Sequence, residues 1–119
     1  MSKIIKTMAV GQYGGHSIKN NKSVDITLKF AYSELPNYIK LIQLLNENID
    51  ISVKKQDEKS QMLGQFMLKE IRVDHDGEGI VKFNSMIDFV EADNINSLVG
   101  NDLFKVRFTA EIEDVGEGE

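Results

Sequence analysis

The chain has no cysteine and no tryptophan, one proline, and only two arginines among its 119 residues. Without cysteine no disulfide can brace the fold, and neither a thiol nucleophile nor a Cys ligand for a metal is available. Secreted domains of this size often lean on disulfides, so a reducing compartment, the cytoplasm, is the expected location. Long apolar runs are missing as well. Lys3, Lys6 and Gly11 interrupt the first stretch, which leaves no signal-peptide core. Nothing approaches the ~20 apolar residues that a membrane-spanning helix needs, so no membrane association is expected.

Positive charge is in short supply: 14 Lys and Arg face 19 Asp and Glu, for a net charge of −5. That balance disfavours nonspecific binding to a phosphate backbone, although a local basic patch remains compatible with it. Arg72 and Arg107, the only arginines, are the residues best suited to bidentate phosphate contacts. Frequent Ile, Lys and Asn reflect AT-rich codons and carry no information about activity.

The length suits one domain with one modest core. The clearest pattern is Val24, Ile26, Leu28, Phe30 and Tyr32 alternating with Asp25, Thr27, Lys29 and Ala31. A period of two turns one set toward a core and the other toward water, which defines a half-buried strand. Phe104, Val106, Phe108, Ala110 and Ile112 repeat the pattern near the end of the chain, with Lys105, Arg107, Thr109 and Glu111 outward. Residues 3–10 have strand composition, and Gly11 through Lys22 reads as a long, flexible Gly-rich loop.

Leu35, Tyr38, Ile39, Ile42 and Leu45, widened by Leu41 and Leu44, predict an amphipathic helix over about 34–46, with Ser33 as cap. Ile49, Ile51 and Val53 resume alternation. From Met62 to Val73 the apolar phase slips by one residue, as a β-bulge near Lys69-Glu70 would produce. Asp74 to Gly79 forms a turn, after which Val81, Phe83, Ile87 and Phe89 share a face. Asp93 is the expected cap of a short helix over about 93–99, closed by Gly100.

The predicted class is therefore α+β, a mostly antiparallel sheet in the order ββαβββαβ, with one domain over 1–113. Residues 114–119 form an acidic tail with little to bury, expected to be disordered. Leu44-Leu45-Asn46-Glu47-Asn48-Ile49 and Leu98-Val99-Gly100-Asn101-Asp102-Leu103 echo each other after the two helices. The echo fits an old β-α-β duplication, or two unrelated junctions that use the same turn residues.

Asp74-His75-Asp76 is the densest group of metal-capable side chains. An EF-hand loop counted from Asp74 would need Glu at its twelfth position, where Ser85 stands. A zinc site would need more than the one other histidine, His16. A polar turn is the better reading, and no cofactor or metal is expected. Gly11-Gln12-Tyr13-Gly14-Gly15 lacks the spacing of either phosphate-binding glycine motif. No serine sits in a nucleophile elbow, and pairs such as Asp88 and Glu91 arise by chance among many acids. The expectation is a protein that is not an enzyme.

Contact residues are expected in loops, at Tyr13 and His16 and at Asp74, His75 and Asp76. A second candidate is a basic strip of outward residues, Lys29, Lys82, Lys105 and Arg107. It would serve single-stranded DNA if exposed aromatics flanked it.

The stretches VDITLKFAYSEL, DHDGEGIVKFNS and DFVEADNINSLVG, within residues 23–112, resemble small accessory proteins of phages and mobile elements of AT-rich Gram-positive bacteria. The resemblance implies a viral, cytoplasmic protein that works by binding, for example by inhibiting or redirecting a host nucleic-acid enzyme or defence system. The leading expectation is accordingly a non-enzymatic protein that acts through protein–protein contact, its acidic surface meeting a basic groove. The alternatives are a single-stranded DNA-binding replication or recombination accessory, and a structural protein that self-assembles through a strand edge such as 3–10 or 102–113.

Overall fold

The alternation read at the second strand holds residue by residue. In the computed structural model, which describes residues 2–113, Val24, Ile26, Leu28 and Phe30 are buried while Asp25, Thr27 and Lys29 are not. Tyr32 lies beyond the strand and is exposed. Six strands form: β1 (Ser2–Ile18), β2 (Ser23–Phe30), β3 (Asn48–Lys55), β4 (Gln61–Val73), β5 (Gly79–Met86) and β6 (Leu103–Glu113). They pair antiparallel in the order β1-β2-β5-β4-β3-β6, and β6 pairs back onto β1 to close a barrel. With helical crossovers after β2 and β5, the chain is α+β in the expected order ββαβββαβ.

Every strand turns alternate residues into the barrel. Five aromatic rings run through it in contact, Tyr38 on Phe30 (5.2 Å between centroids), then Phe108 (6.3 Å), Phe83 (5.8 Å) and Phe66 (6.3 Å). Such pairs add to the stabilisation from burial alone. Ile49, Ile51, Val53, Leu63, Leu68 and Val106 fill the space around them.

The first crossover is not one regular helix. A 3-10 turn at Tyr32–Glu34 leads into a single α turn, α1 (Leu35–Tyr38), followed by a 3-10 segment Ile39–Leu44. In 3-10 geometry residues three apart eclipse one another. The apolar residues therefore separate into an inner ridge of Tyr38, Leu41 and Leu44, fully buried, and an outer ridge of Ile39, Ile42 and Leu45, exposed. The segment is fastened to β1, where the Val10 amide donates to Glu34 Oε1 (2.9 Å) and the Thr7 hydroxyl donates to the Asn37 carbonyl (3.0 Å).

The second crossover holds α2 (Ala92–Asn96), which buries Ile95, with Leu98 buried just beyond it. Asp93 lies in its first turn rather than at the cap, which falls at Glu91 without a side-chain hydrogen bond. Phe89 leaves the strand face expected of it: β5 stops at Met86, residues 87–89 form a 3-10 turn, and Phe89 is exposed. Because β2 and β5 run antiparallel, the two crossovers leave opposite ends of the barrel.

One expectation is corrected. The stretch Gly11–His16 is not a loop but part of β1, which runs unbroken to Ile18; the turn is confined to residues 19–22. Glycine is needed there because β2 passes close by, and because Gly15 takes φ +125° where the register slips between Tyr13 and Gly15. Residues 3–10 and 102–113 pair with each other from Ser2↔Glu113 to Gln12↔Leu103. The ladder between β1 and β2 begins only at Gly11, so among the described residues the other side of 3–10 carries no strand and lies beside the first crossover, which Thr7 and Val10 contact.

The phase slip in β4 is the bulge expected there: its register against β5 shifts between Leu68 and Glu70. A second irregularity sits at Ile51/Ser52 against β4, where Gly64 has φ +138°. A Cβ on Gly64 would collide with the Phe89 carbonyl. The acidic segment 114–119 lies outside the described residues.

The pairing scheme is unchanged when β1, β2 and β3 are exchanged with β4, β5 and β6. The barrel thus has two-fold topology, each half a ββαβ unit. The two echoed junctions occupy equivalent places, and each sets a positive-φ residue, Asn46 (φ 69°) or Gly100 (φ 136°), two positions after a buried leucine.

Candidate functional site

The expected contact residues do not converge. Tyr13 and His16 sit on β1, where the Tyr13 hydroxyl and His16 Nδ1 are hydrogen-bonded at 2.6 Å and the rings meet edge to face. Each polar tip thus satisfies the other. Asp74, His75 and Asp76 form the hairpin between β4 and β5, strands that do not pair with β1. Asp74 Oδ1 accepts from the amides of Asp76 and Glu78 (both 3.0 Å), which shapes the turn, and His75 projects into solvent. Among the described residues no three His, Asp or Glu side chains gather within reach of one metal ion.

The basic strip divides. Lys82 on β5 faces Glu70 across the ladder (4.0 Å), and Glu70 also pairs with Arg72 (2.9 Å). On the same side of the barrel Asp25 accepts from the Asn84 amide (2.6 Å) and pairs with Lys19 (2.9 Å). The Asn84 bond and the Lys19 charge hold the Asp25 carboxyl below its ordinary range. Lys29 on β2 lines a shallow hollow with Glu34 and Glu78. Lys19, Arg72 and Lys82 on this side are thus each paired with a carboxylate.

Lys105 and Arg107 belong to a different surface, and the strand order assembles it. On β1, β6 and β3 the outward residues fall into cross-strand rows: Val10–Lys105–Lys54, then Met8–Arg107–Ser52, then Lys6–Thr109–Asp50. Lys6, Lys54, Lys105 and Arg107 are exposed, and none has an ion-pair partner among the described residues. Neighbouring Lys55 differs, because its Nζ donates to the Ser97 carbonyl and ties β3 to the second crossover. These four cations share one face of a protein whose net charge is −5.

Lys54 and Lys105 stand directly opposite each other. Like charges so placed are destabilising, by roughly 0.3–0.6 kcal/mol for exposed ammonium groups about 6–7 Å apart, depending on salt. The chain tolerates that repulsion in the midst of the patch. Apolar side chains lie among the charges, with Met8 and Leu103 exposed and Val10 half-buried. Two shallow concavities open here. One, of about 170 Å³, is lined by Met8, Ser52, Val53, Lys54, Ser60, Lys105 and Arg107. Its neighbour is lined by Lys6, Thr7, Met8, Arg107 and Thr109.

No family model, curated protein or solved structure matches the chain. The functional reading therefore rests on this surface. Sequence reasoning found Lys105 and Arg107 and missed Lys6, Lys54 and Met8. All three lie on the outward parity of their strands, a signal visible in the sequence. What makes them neighbours is β6 lying between β1 and β3, which is not. No aromatic ring is exposed within the rows, since Phe104 and Phe108 point inward. No helix among the described residues is long and apolar enough to cross a membrane.

Proposed function

We propose that the protein is a non-catalytic binding module whose β1–β6–β3 outer face docks an acidic surface on a partner protein. The observation that carries this reading is the set of four unpaired cations, Lys6, Lys54, Lys105 and Arg107, held in register beside exposed Met8 and Leu103. Mixed apolar and cationic character suits a folded or peptidic acidic partner, which offers carboxylates and hydrocarbon together. A single-stranded nucleic acid would call for exposed rings on which bases stack, and the rows offer none. The resemblance to phage and mobile-element accessory proteins supports a host protein as partner.

The test is fluorescence anisotropy with a labelled polyglutamate peptide and a labelled oligo-dT of equal length, at about 50 mM and about 200 mM salt. Polyglutamate binding that weakens with salt, exceeds oligo-dT binding and is lost in Lys105→Glu is expected. Failure to bind polyglutamate at low salt, or binding indifferent to Lys105→Glu, refutes the reading. Tighter binding of oligo-dT would replace the acidic partner with nucleic acid.

A further inference from the structure

We propose that the concavity between β3 and β6 is a subsite for one phosphate monoester group carried by the partner; the inference rests on the docking face described above and names its anchor. Lys54 and Ser52 on β3 stand opposite Lys105 and Arg107 on β6. With strands about 5 Å apart and same-face residues about 7 Å apart along a strand, the four side chains spring from the corners of a small rectangle. That footprint suits a single tetrahedral anion, and the concavity of about 170 Å³, which Ser60 also lines, has room for it.

Charge selects the anion. Three cations meet there without an acidic partner among the described residues. A carboxylate brings one negative charge and two acceptor oxygens, which leaves the Lys54–Lys105 repulsion largely in place. A phosphate monoester brings about −1.5 to −2 charges at pH 7 and three acceptor oxygens. Arg107 can engage two of these with its planar fork, while the lysines act as point charges that need no fixed geometry. The Ser52 and Ser60 hydroxyls supply neutral donors. A phosphodiester, with one charge and two bridged oxygens, uses less of the set. Asp50 lies in the row beyond Ser52, and Asp57 lines the adjoining hollow on the other side. They bound the subsite to a single anion rather than a track for many.

The experiment compares an acidic peptide containing phosphoserine with the same peptide containing serine. Binding to the full chain is measured by calorimetry, and amide shifts by NMR with inorganic phosphate against chloride at equal ionic strength. The phosphopeptide is expected to bind about tenfold tighter, a difference of about 1.4 kcal/mol. That gain should vanish in Arg107→Gln and in Lys105→Gln and persist in Lys82→Gln. Phosphate-induced shifts should centre on Ser52, Lys54, Ser60, Lys105 and Arg107. Equal affinity for the two peptides, a gain that survives Arg107→Gln, or shifts spread over unrelated lysines overturns the proposal. The polyglutamate measurement judges the docking face separately. Polyglutamate binding without a phosphate gain removes only the subsite, whereas a phosphate gain without polyglutamate binding removes only the broader face.

Discussion

Reversing the charge of Lys105 should make the protein more stable while it destroys binding. Lys105 is exposed and directly opposite Lys54, with Arg107 two residues along the same strand. Two exposed ammonium groups about 6–7 Å apart, a spacing open to directly opposed lysines, repel by roughly 0.6 kcal/mol in water without screening, and by about 0.3 kcal/mol at 0.15 M salt. Lys105→Glu turns that repulsion into attraction of the same size. The swing is then about 0.6 kcal/mol at physiological ionic strength and about 1 kcal/mol near 10 mM, with Arg107 acting in the same direction. Lys and Glu differ little in strand preference, so the electrostatic change dominates. The substitution moves an acidic protein further from neutrality, which by overall charge alone would destabilise it; the local pairing is expected to win. In urea denaturation, with a slope of about 1.5 kcal/mol per molar, the midpoint should rise by roughly 0.4 M at 0.15 M salt and more at low salt. Lys29→Glu, which faces Gln12 and Ile80 rather than another cation, should give no such gain. A lowered midpoint for Lys105→Glu, or a rise that ignores salt, refutes the reasoning.

Four further outcomes follow from the core and from the β2–β5 side of the barrel. Tyr38 is fully buried, and its hydroxyl has no hydrogen-bond partner among the described residues; Tyr38→Phe should therefore stabilise by about 1 kcal/mol in calorimetric or urea melts, and a loss of that size would show that the hydroxyl is bonded. Burial pushes the Tyr38 phenol up, so the neutral ring stabilises the fold below the ordinary tyrosine value and that contribution is lost as pH rises through the raised one; wild type should lose stability faster than Tyr38→Phe in melts above pH ~10. Gly64→Ala should cost about 2–4 kcal/mol, because it adds positive-φ strain to a collision with the Phe89 carbonyl, and a near-unchanged melting temperature would refute that geometry. Asp25, lowered by Asn84 and Lys19, contributes above the ordinary carboxylate value and loses that contribution as pH falls through its depressed one; Asp25→Asn should lower stability at pH 7 by under about 1 kcal/mol, the difference fading in acid.

Much of the barrel's wall was legible along the chain because alternation is a local signal. Residues 24–30 and 104–110 bury the residues their parity assigns, and the bulge near Lys69 was visible as a slip of phase. Closure was not legible. It depends on residues 2–12 meeting 103–113 and on β2 meeting β5, pairings between distant segments that no window of sequence contains. Glycine misled at Gly11–Gly15, where its freedom marks a close strand approach and a bulge rather than a loop. The helix misled through its period: residues read as one broad α-helical face divide into two ridges when the turn tightens to three residues. The candidate site was half visible for the same reason as the barrel. Parity marked Lys105 and Arg107 as outward, but grouping them with Lys29 and Lys82 assumed a strand order that the fold does not have.

Closure of the barrel also narrows the margin open to main-chain recognition. A sheet with a bare margin can recruit a peptide through main-chain amides, a mode that tolerates many sequences. Here the first and last strands take up one side of that margin, and the first crossover lies against the other at Thr7 and Val10. Recognition then falls to the outward half of each strand, whose residues are free to change without disturbing the inward half. One framework could in this way carry a succession of different specificities, each written in a handful of exterior substitutions.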